Sequence, residues 1–390
     1  MNSRELEDTY TLPTYSHLRF PLSIVRGAGS HVYDDQGNAY LDLYGGHAVC
    51  LLGHCHPRWV EEMRRQLGEL VFYSNMVYHP LRGEAAELLV NNSYPSMTSV
   101  YFCGSGAEAN ETALKMARKA TGRPRIVAME GGFHGRTIGA LSVTGFPKMR
   151  AAFPQNTDDA TDFVPLGDLA AIEALDCRQI AAVILEPIQS VAGVRMAPPS
   201  YYGALRQLCR DRGIVLIFDE VQTGSGRTGE WYAGTHWGVE PDLVTTAKGV
   251  GGGFPVGVVI ASEAMAETVQ PGDQATTFGG GPLAVAAVAS TYRILQEEGT
   301  VERVSRLSRQ VVERLGRPGL PGIREVRGLG YLLGVECDLP AKEVQRRLLE
   351  RQVLVGTSGE PHTFRLLPPL TVREEEWDRF FEALEESLSG

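Results

Sequence analysis

The sequence predicts an α/β protein: a mostly parallel sheet with helices on both faces, and a smaller α+β lobe at the C-terminal end. Three observations predict it. Between residues 99 and 261, short apolar runs alternate with helix-forming segments, the pattern of parallel strands joined by crossover helices. The run 214–218 (IVLIF) is apolar without alternation, as a strand buried on both faces requires. After residue 261 the pattern changes to charge-rich helices interleaved with strands.

At 390 residues the chain is long enough for a large core and two lobes. Its 43% hydrophobic and 22% charged content places it among ordinary globular chains. A net charge of −10 argues against nucleic acid, whose phosphates need a basic surface. No apolar run approaches the roughly 20 residues of a membrane span, so no membrane partner is expected. The N-terminus lacks the basic-then-apolar form of a signal peptide. Six cysteines are scattered through the chain. Cys50, His54, Cys55 and His56 lie close together, but no second cysteine pair completes a zinc site, and no metal is expected. The expectation is a reduced, cytoplasmic enzyme or binding protein.

The elements follow in order. Residues 1–20 are a mixed polar lead-in. The alternating stretch 27–42, with a turn at Asp35-Gln36-Gly37-Asn38, predicts a β-hairpin. Gly45-Gly46-His47 and Gly53-His54-Cys55-His56-Pro57 punctuate loops, and Pro57 suits the first turn of a helix over 57–70. A second helix, over 81–91, follows Pro80. Strand 99–103 runs into Gly104-Ser105-Gly106-Ala107-Glu108, where Ser105 and Glu108 fit a capping box for a helix ending at Gly122. Such a start is either simply well capped, or a cradle whose backbone N–H groups and dipole hold a phosphate. The turn itself favours neither.

Strand 125–129 leads to Gly131-Gly132-Phe133-His134-Gly135-Arg136. Phe133 is either core or a flat partner for a planar ring. Strand 181–185 ends in Glu186-Pro187, and a helix over 201–212 returns to strand 214–218, which ends on Asp219 and Glu220. Strand 243–246 ends just before Lys248, and strand 256–261 follows. Open α/β sheets place ligand chemistry where buried strands run out, so Asp219 and Lys248 are candidates for one site. Lysine usage singles out the second: there are five lysines, and Lys115, Lys119 and Lys342 read as solvated helix positions. The C-terminal part reads as helices over 283–296, 301–315, 341–350 and 373–388, with strands over 323–328, 331–337 and 364–367. Residues 317–322 (RPGLPG) are the Pro/Gly-rich break. The expected division is an N-terminal segment 1–50 packing with the small domain, a large α/β domain 51–285 and a small α+β domain 286–390.

Three chemistries compete for this pattern. The 214–220 run IVLIFDE looks like the acidic strand of a P-loop ATPase, but no lysine is followed by Ser or Thr, so the phosphate loop is missing. A dinucleotide-binding dehydrogenase would use the G-x-G-x-x-A at Gly104–Ala109 and Glu130, 26 residues after Gly104. That leaves Asp219, Lys248 and Phe133 without roles. A pyridoxal phosphate enzyme uses them all. It needs an amine to join the cofactor aldehyde (Lys248), a buried carboxylate facing the pyridine nitrogen (Asp219), a phosphate cradle (Gly104 to Ala107) and an aromatic against the ring (Phe133).

At this point the motifs resemble a known family. CGSGAEANETALKMAR, GGFHGRTIGALSVTG, ILEPIQ, LIFDEVQTGSGRTG, TTAKGVGGGFPVG and TTFGGGPLA are similar to the class III aminotransferases, which are fold-type I pyridoxal-phosphate-dependent transferases with a seven-stranded sheet. The resemblance runs from about Tyr15 to Glu382. YLDLYGGHAV, GHCHP and FRLLPPL look most like the acylornithine aminotransferases. The resemblance implies a homodimer that carries an amino group from an acylated diamino acid or ω-amino donor to a 2-oxoacid such as 2-oxoglutarate. Lys248 would bind the cofactor, Asp219 its pyridine nitrogen and Gln222 its ring hydroxyl. Val221 would pack opposite Phe133, with Glu186 beside the cofactor. Ser105, Gly106 and Ala107 would hold the phosphate, which Thr277 would reach from the other subunit. Arg365 would clamp the carboxylate of α-amino acids and 2-oxoacids, and Arg136 the far carboxylate of a longer substrate. A broad ω-amino acid or amine:pyruvate aminotransferase is the alternative. Cofactor-binding folds also serve as sensors in regulators, but those carry a DNA-binding region that this chain has no room for. Two positions depart from the family: Val191 stands where many members have a glutamate that shields the C-terminal arginine, and Gly104 where Asn is usual.

Overall fold

The computed structural model describes residues 3–15, 19–153, 160–317, 320 and 322–389. At its centre is a seven-stranded sheet. Across it lie Met97–Cys103, Gly257–Ser262, Leu243–Thr246, Val215–Asp219, Ile180–Leu185, Arg125–Met129 and Thr161–Val164. Gly257–Ser262 pairs antiparallel with both its neighbours, and the other pairings are parallel. The sheet is mostly parallel, as the alternating pattern predicts. The central strands Ile180–Leu185 (IAAVIL) and Val215–Asp219 (VLIFD) are buried at every position, which is why their sequences show no period of two.

Helices cover both faces. The helix Gly106–Thr121 lays Ala109, Ala113, Leu114 and Ala117 on one face and turns Lys115 and Lys119 to solvent. It ends at Gly122 in a left-handed C-cap (φ 66°), which glycine adopts without a Cβ clash. Pro199–Arg212 and Pro282–Glu297 cover the opposite face with Tyr202, Leu205, Val285, Val288 and Tyr292.

The remaining strands form two smaller sheets. His31–Asp34 and Ala39–Asp42 make the expected hairpin, its turn held by Asp34 Oδ1, which accepts from the amides of Gln36 and Asn38. Ile24–Ala28 lies outside it, and Val353–Leu354 pairs parallel with Ala39–Asp42 on the other edge. Chain from both ends of the sequence therefore shares one sheet and one core, in which Leu41, Leu43 and Leu51 meet Val304, Phe364 and Phe380. The last sheet is antiparallel, in the order Ile323–Leu329, Leu332–Cys337, Thr363–Leu366, Gly356–Thr357, with helices Thr300–Leu315, Ala341–Glu350 and Glu374–Ser389 packed in the same core.

The lead-in holds more order than its polar composition suggests: Ser3–Tyr10 is helical but buries no residue. The strand Thr161–Val164 and the short helices Ile138–Ser142, Pro147–Ala151 and Leu169–Glu173 are further additions to the sequence-based expectation. Pro318, Gly319 and Pro321 of the Pro/Gly-rich break lie outside the described residues.

Candidate active site

All strands of the central sheet except Gly257–Ser262 run the same way, so their C-terminal ends share one edge. A cavity of about 480 Å³ opens there. The edge delivers Ser105, Gly106 and Ala107 after Cys103, Phe133 and Arg136 after Met129, Glu186 after Leu185, Val221 and Gln222 after Asp219, and Lys248 after Thr246. Each of these, with Asp219 itself, lines the cavity. Two expected residues do not line it. Arg365 is buried behind the wall, and Thr277 lies in a separate cleft with Asn75, Arg82 and Phe102.

Asp219 is 3% exposed and fully engaged. Its Oδ2 accepts from Asn110 Nδ2 and His134 Nδ1, both at 2.7 Å, and its Oδ1 from the Val221 amide at 3.0 Å. Asn110 is itself fixed, donating to the His134 carbonyl (2.7 Å) and accepting from Thr245 Oγ1 (2.6 Å). A buried carboxylate tied into such a network cannot turn away from the cavity, and low surrounding polarity strengthens its field. Glu220, one residue on, points to the other side. There it accepts from Thr223 Oγ1 and the Ala233 amide and pairs with Tyr94, so it is a structural carboxylate.

Lys248 opens a tight turn with φ +45°, an uncommon conformation for a side-chain-bearing residue and one that clusters at functional sites. Burial lowers its pKa, against the opposing charges of Asp219 and Glu186. This favours the neutral amine, the form that attacks a carbonyl. Glu186 accepts from the Phe133 amide at 2.7 Å. Burial, then the charge of Asp219, raises it to about 7. Its folded value lies above the unfolded one, so its contribution to stability is complete below the ordinary carboxyl range and disappears as pH rises through about 7. Glu186→Gln removes that dependence. The melting temperature of the cofactor-free variant, relative to wild type, should rise progressively between about pH 5 and pH 7, up to the equivalent of roughly 3 kcal/mol. Parallel melting curves across that range would place the Glu186 proton elsewhere.

The expected phosphate cradle is the start of helix Gly106–Thr121. Ser105 Oγ accepts from the Glu108 amide (3.2 Å), and Glu108 reaches back to the Gly104 amide (2.8 Å). The first amides of a helix have no partner within it, so those of Gly106 and Ala107 remain available to an anion at the cavity wall. A Cβ on Gly106 would stand 3.0 Å from Val221 and 3.3 Å from Ala247, so the wall fits closely there. Two buried polar atoms beside the cavity lack partners, Gln222 Oε1 and His134 Nε2. An anion cradle, an acceptor for a hydroxyl, a buried carboxylate and a half-buried aromatic together fit pyridoxal phosphate.

At the far end, Arg365 is held by neutral groups. Nη1 donates to Ser190 Oγ (2.9 Å) and Nε to the Thr357 carbonyl (2.8 Å). Its guanidinium carbon lies 5.9 Å from the ring centre of Tyr44. Val191, at the shielding position, offers no charge. Arg136 is exposed, its guanidinium 5.6 Å from the Phe133 ring centre.

Tyr44 leads into an unusual segment. Gly45, Gly46, His47 and Ala48 all have φ between 57° and 71°. The amides of Ala48 and Val49 bond to the carbonyls of Tyr44 and Gly45, making one turn of left-handed helix. Two of its residues carry side chains, at a cost of about 1–2 kcal/mol each. Asp42 pins the turn: Oδ1 accepts from the amides of Tyr44 and Gly45, and Oδ2 meets His54 Nε2. His47 and Val49 line the cavity.

Asn110, His134, Tyr44, His47 and Ser190 are site residues the sequence did not single out. His134 and Asn110 lie 85 and 109 residues from Asp219, and no local pattern signals such pairs. His134 stands beside Phe133 in a noted motif, and the Gly-Gly before His47 was the one hint of abnormal backbone.

Sheet topology and strand-edge chemistry together define a pyridoxal-phosphate-dependent transferase. Residues 14–388 match the family aminotransferase class-III. An acetylornithine aminotransferase of Methanopyrus kandleri is 45% identical, over 100% of this chain and 99% of that protein. The ornithine aminotransferase of Toxoplasma gondii, whose structure has partial occupancy of PLP at the active site, superposes with a TM-score of 0.91 at 30% identity, covering 99% of this chain and 93% of that one. An acetylornithine aminotransferase from Elizabethkingia anophelis gives 0.85 at 28% identity, covering 99% and 98%. The chain belongs to the class III aminotransferases. It is a pyridoxal-phosphate-dependent enzyme that moves an amino group from an amino donor to a 2-oxoacid. Among the described residues no helix is long and apolar enough to cross a membrane.

Proposed function

We propose that the amino donor is N-acetylornithine or a close acylated diamino acid and the acceptor 2-oxoglutarate, turned over in alternating half-reactions. The observation that carries the site assignment is the meeting of Lys248 and Asp219 at one strand edge beside a helix N-terminus. The donor follows from the names of the full-length relatives.

Bound pyridoxal phosphate supplies an electron sink for the bond electrons at the substrate carbon. The chain's residues do the rest. With the cofactor bound, Lys248 would hold it through Nζ, and the same Nζ would carry the proton to and from the substrate carbon. Asp219, held by His134 and Asn110, would face the ring nitrogen. The amides of Ser105, Gly106 and Ala107 would hold the phosphate, Gln222 would accept from the ring hydroxyl, and Phe133 and Val221 would enclose the ring, with Glu186 alongside. Arg365 would bind the acceptor's carboxylate through the guanidinium N–H groups not taken by Thr357 and Ser190, and Arg136, at the open side, would bind the distal carboxylate.

The same reading divides the chain into a segment 1–50 packing with a small domain 286–390, and a large domain 51–285. It also makes the enzyme a homodimer. Val71, Phe72, Tyr73, Met76, Val77 and Tyr78 are exposed apolar side chains within one stretch of chain, and Phe278 stands 5.3 Å from Phe72, ring centre to centre. A surface of this kind marks an interaction site. Thr277 lies next to it and in this reading would reach a partner's phosphate cradle. Six free cysteines suit the cytoplasm.

Arg365→Leu tests the acceptor assignment. Losing a charge-assisted hydrogen bond should lower kcat/KM for 2-oxoglutarate by about 10²-fold and leave cofactor content unchanged. An unaltered value would remove Arg365 from the substrate site.

A further inference from the structure

We propose that His47 is a second hydrogen-bond donor to the carboxylate held by Arg365, and so a specificity-determining residue for the 2-oxoacid half of the reaction. The inference rests on the aminotransferase reading above and adds to it a residue whose position follows from backbone geometry. A left-handed turn containing two L-residues is unfavourable wherever it occurs, and strain of this kind persists where the surrounding structure over-determines it. Here Asp42 grips the amides of Tyr44 and Gly45 and is itself held by His54 at 2.8 Å. The result is the placement of the His47 side chain on the cavity wall.

Three side chains then form one unit. The Tyr44 ring lies under the Arg365 guanidinium and meets the His47 ring edge-on, with centres 5.2 Å apart and planes at 85°. The Tyr44 hydroxyl bonds to His47 Nδ1. Enclosure in the cleft, then the cations Arg365 and Lys248, hold the imidazole down to about 3, so the ring is neutral in the working range. With the Tyr44 hydroxyl donating to Nδ1, one of the two directions open to this contact, the single proton of the neutral ring sits on Nε2. Arg365 already spends Nε and Nη1 on Thr357 and Ser190. A carboxylate on its remaining face would meet the His47 N–H as its second donor. That adds a directed hydrogen bond without a second buried positive charge.

The test uses His47→Asn and His47→Gly in the holoenzyme. Both residue types accept the left-handed backbone, so the turn survives. We expect kcat/KM for 2-oxoglutarate to fall about tenfold, the worth of one hydrogen bond to a charged group. The dissociation constant of glutarate, a dicarboxylate that cannot react, should rise by a similar factor. The value for N-acetylornithine should stay within about twofold. His47→Gly, freed of the strained side chain, should melt no lower than wild type. Equal losses in both half-reactions, a loss confined to the donor, or no change in either would overturn the proposal. A wild-type enzyme that fails to transaminate N-acetylornithine but loses 2-oxoglutarate binding on substitution would refute the donor assignment and leave His47 in place.

Discussion

Lys248→Ala should lower turnover by about 10⁴-fold or more, since Lys248 is the residue proposed both to form the covalent link and to carry the proton. Among the described residues, no other lysine lines the cavity. Lys115 and Lys119 bond to Gln274 and Asp273 on the outer surface, and Lys342 is exposed. The substitution also removes a buried amine while leaving the backbone conformation as it is, so the protein should melt at least as high as wild type without cofactor. Steady-state assay with N-acetylornithine and 2-oxoglutarate, beside a melting curve, checks both. Activity within tenfold of wild type would end the assignment of Lys248.

Asp219→Asn should be the next largest, at about 10²–10³-fold in kcat. The amide keeps the volume but loses the charge. It also sets an N–H₂ among three donors, His134 Nδ1, Asn110 Nδ2 and the Val221 amide. At least one of them loses its acceptor in a buried place, at a cost of about 1–3 kcal/mol. The expected phenotype is therefore a slow enzyme of modestly lower stability that still takes up cofactor. His134→Gln gives a control, because it disturbs the clamp on Asp219 while sparing the charge. Its effect on kcat should be smaller than that of Asp219→Asn; a larger one would transfer the electrostatic role to the imidazole.

How much of this was legible in the sequence depended on how local the cause was. The strand 214–218 and its terminal Asp219 could be read because burial on both faces imposes a continuous apolar run, and the structure shifts it only to Val215–Asp219. Ser105 and Glu108 were readable as a capping box for the same reason: the bonds span three residues. Thr161–Val164 was not legible. It is a four-residue edge strand with one buried position, so neither length nor period marks it. The Asp219 clamp was illegible because its members, Asn110 in the helix Gly106–Thr121 and His134 beyond strand Arg125–Met129, are distant in sequence. Arg365 could be named from the resemblance, but its neutral anchors Ser190 and Thr357 could not, since they lie on separate elements. The left-handed turn at Gly45–Ala48 stands between: two glycines allow it, yet only the grip of Asp42 on the following amides forces His47 into it.

Reduction of the holoenzyme with borohydride, followed by digestion and mass spectrometry, tests the central claim most directly. The chain offers five lysines, so the cofactor's attachment point can be located without ambiguity. The mass of a reduced pyridoxyl phosphate on the peptide containing Lys248, and its loss when N-acetylornithine is added before reduction, is the result expected here. Label on Lys115, Lys119, Lys148 or Lys342 instead, or no label on a protein saturated with pyridoxal phosphate, would contradict it.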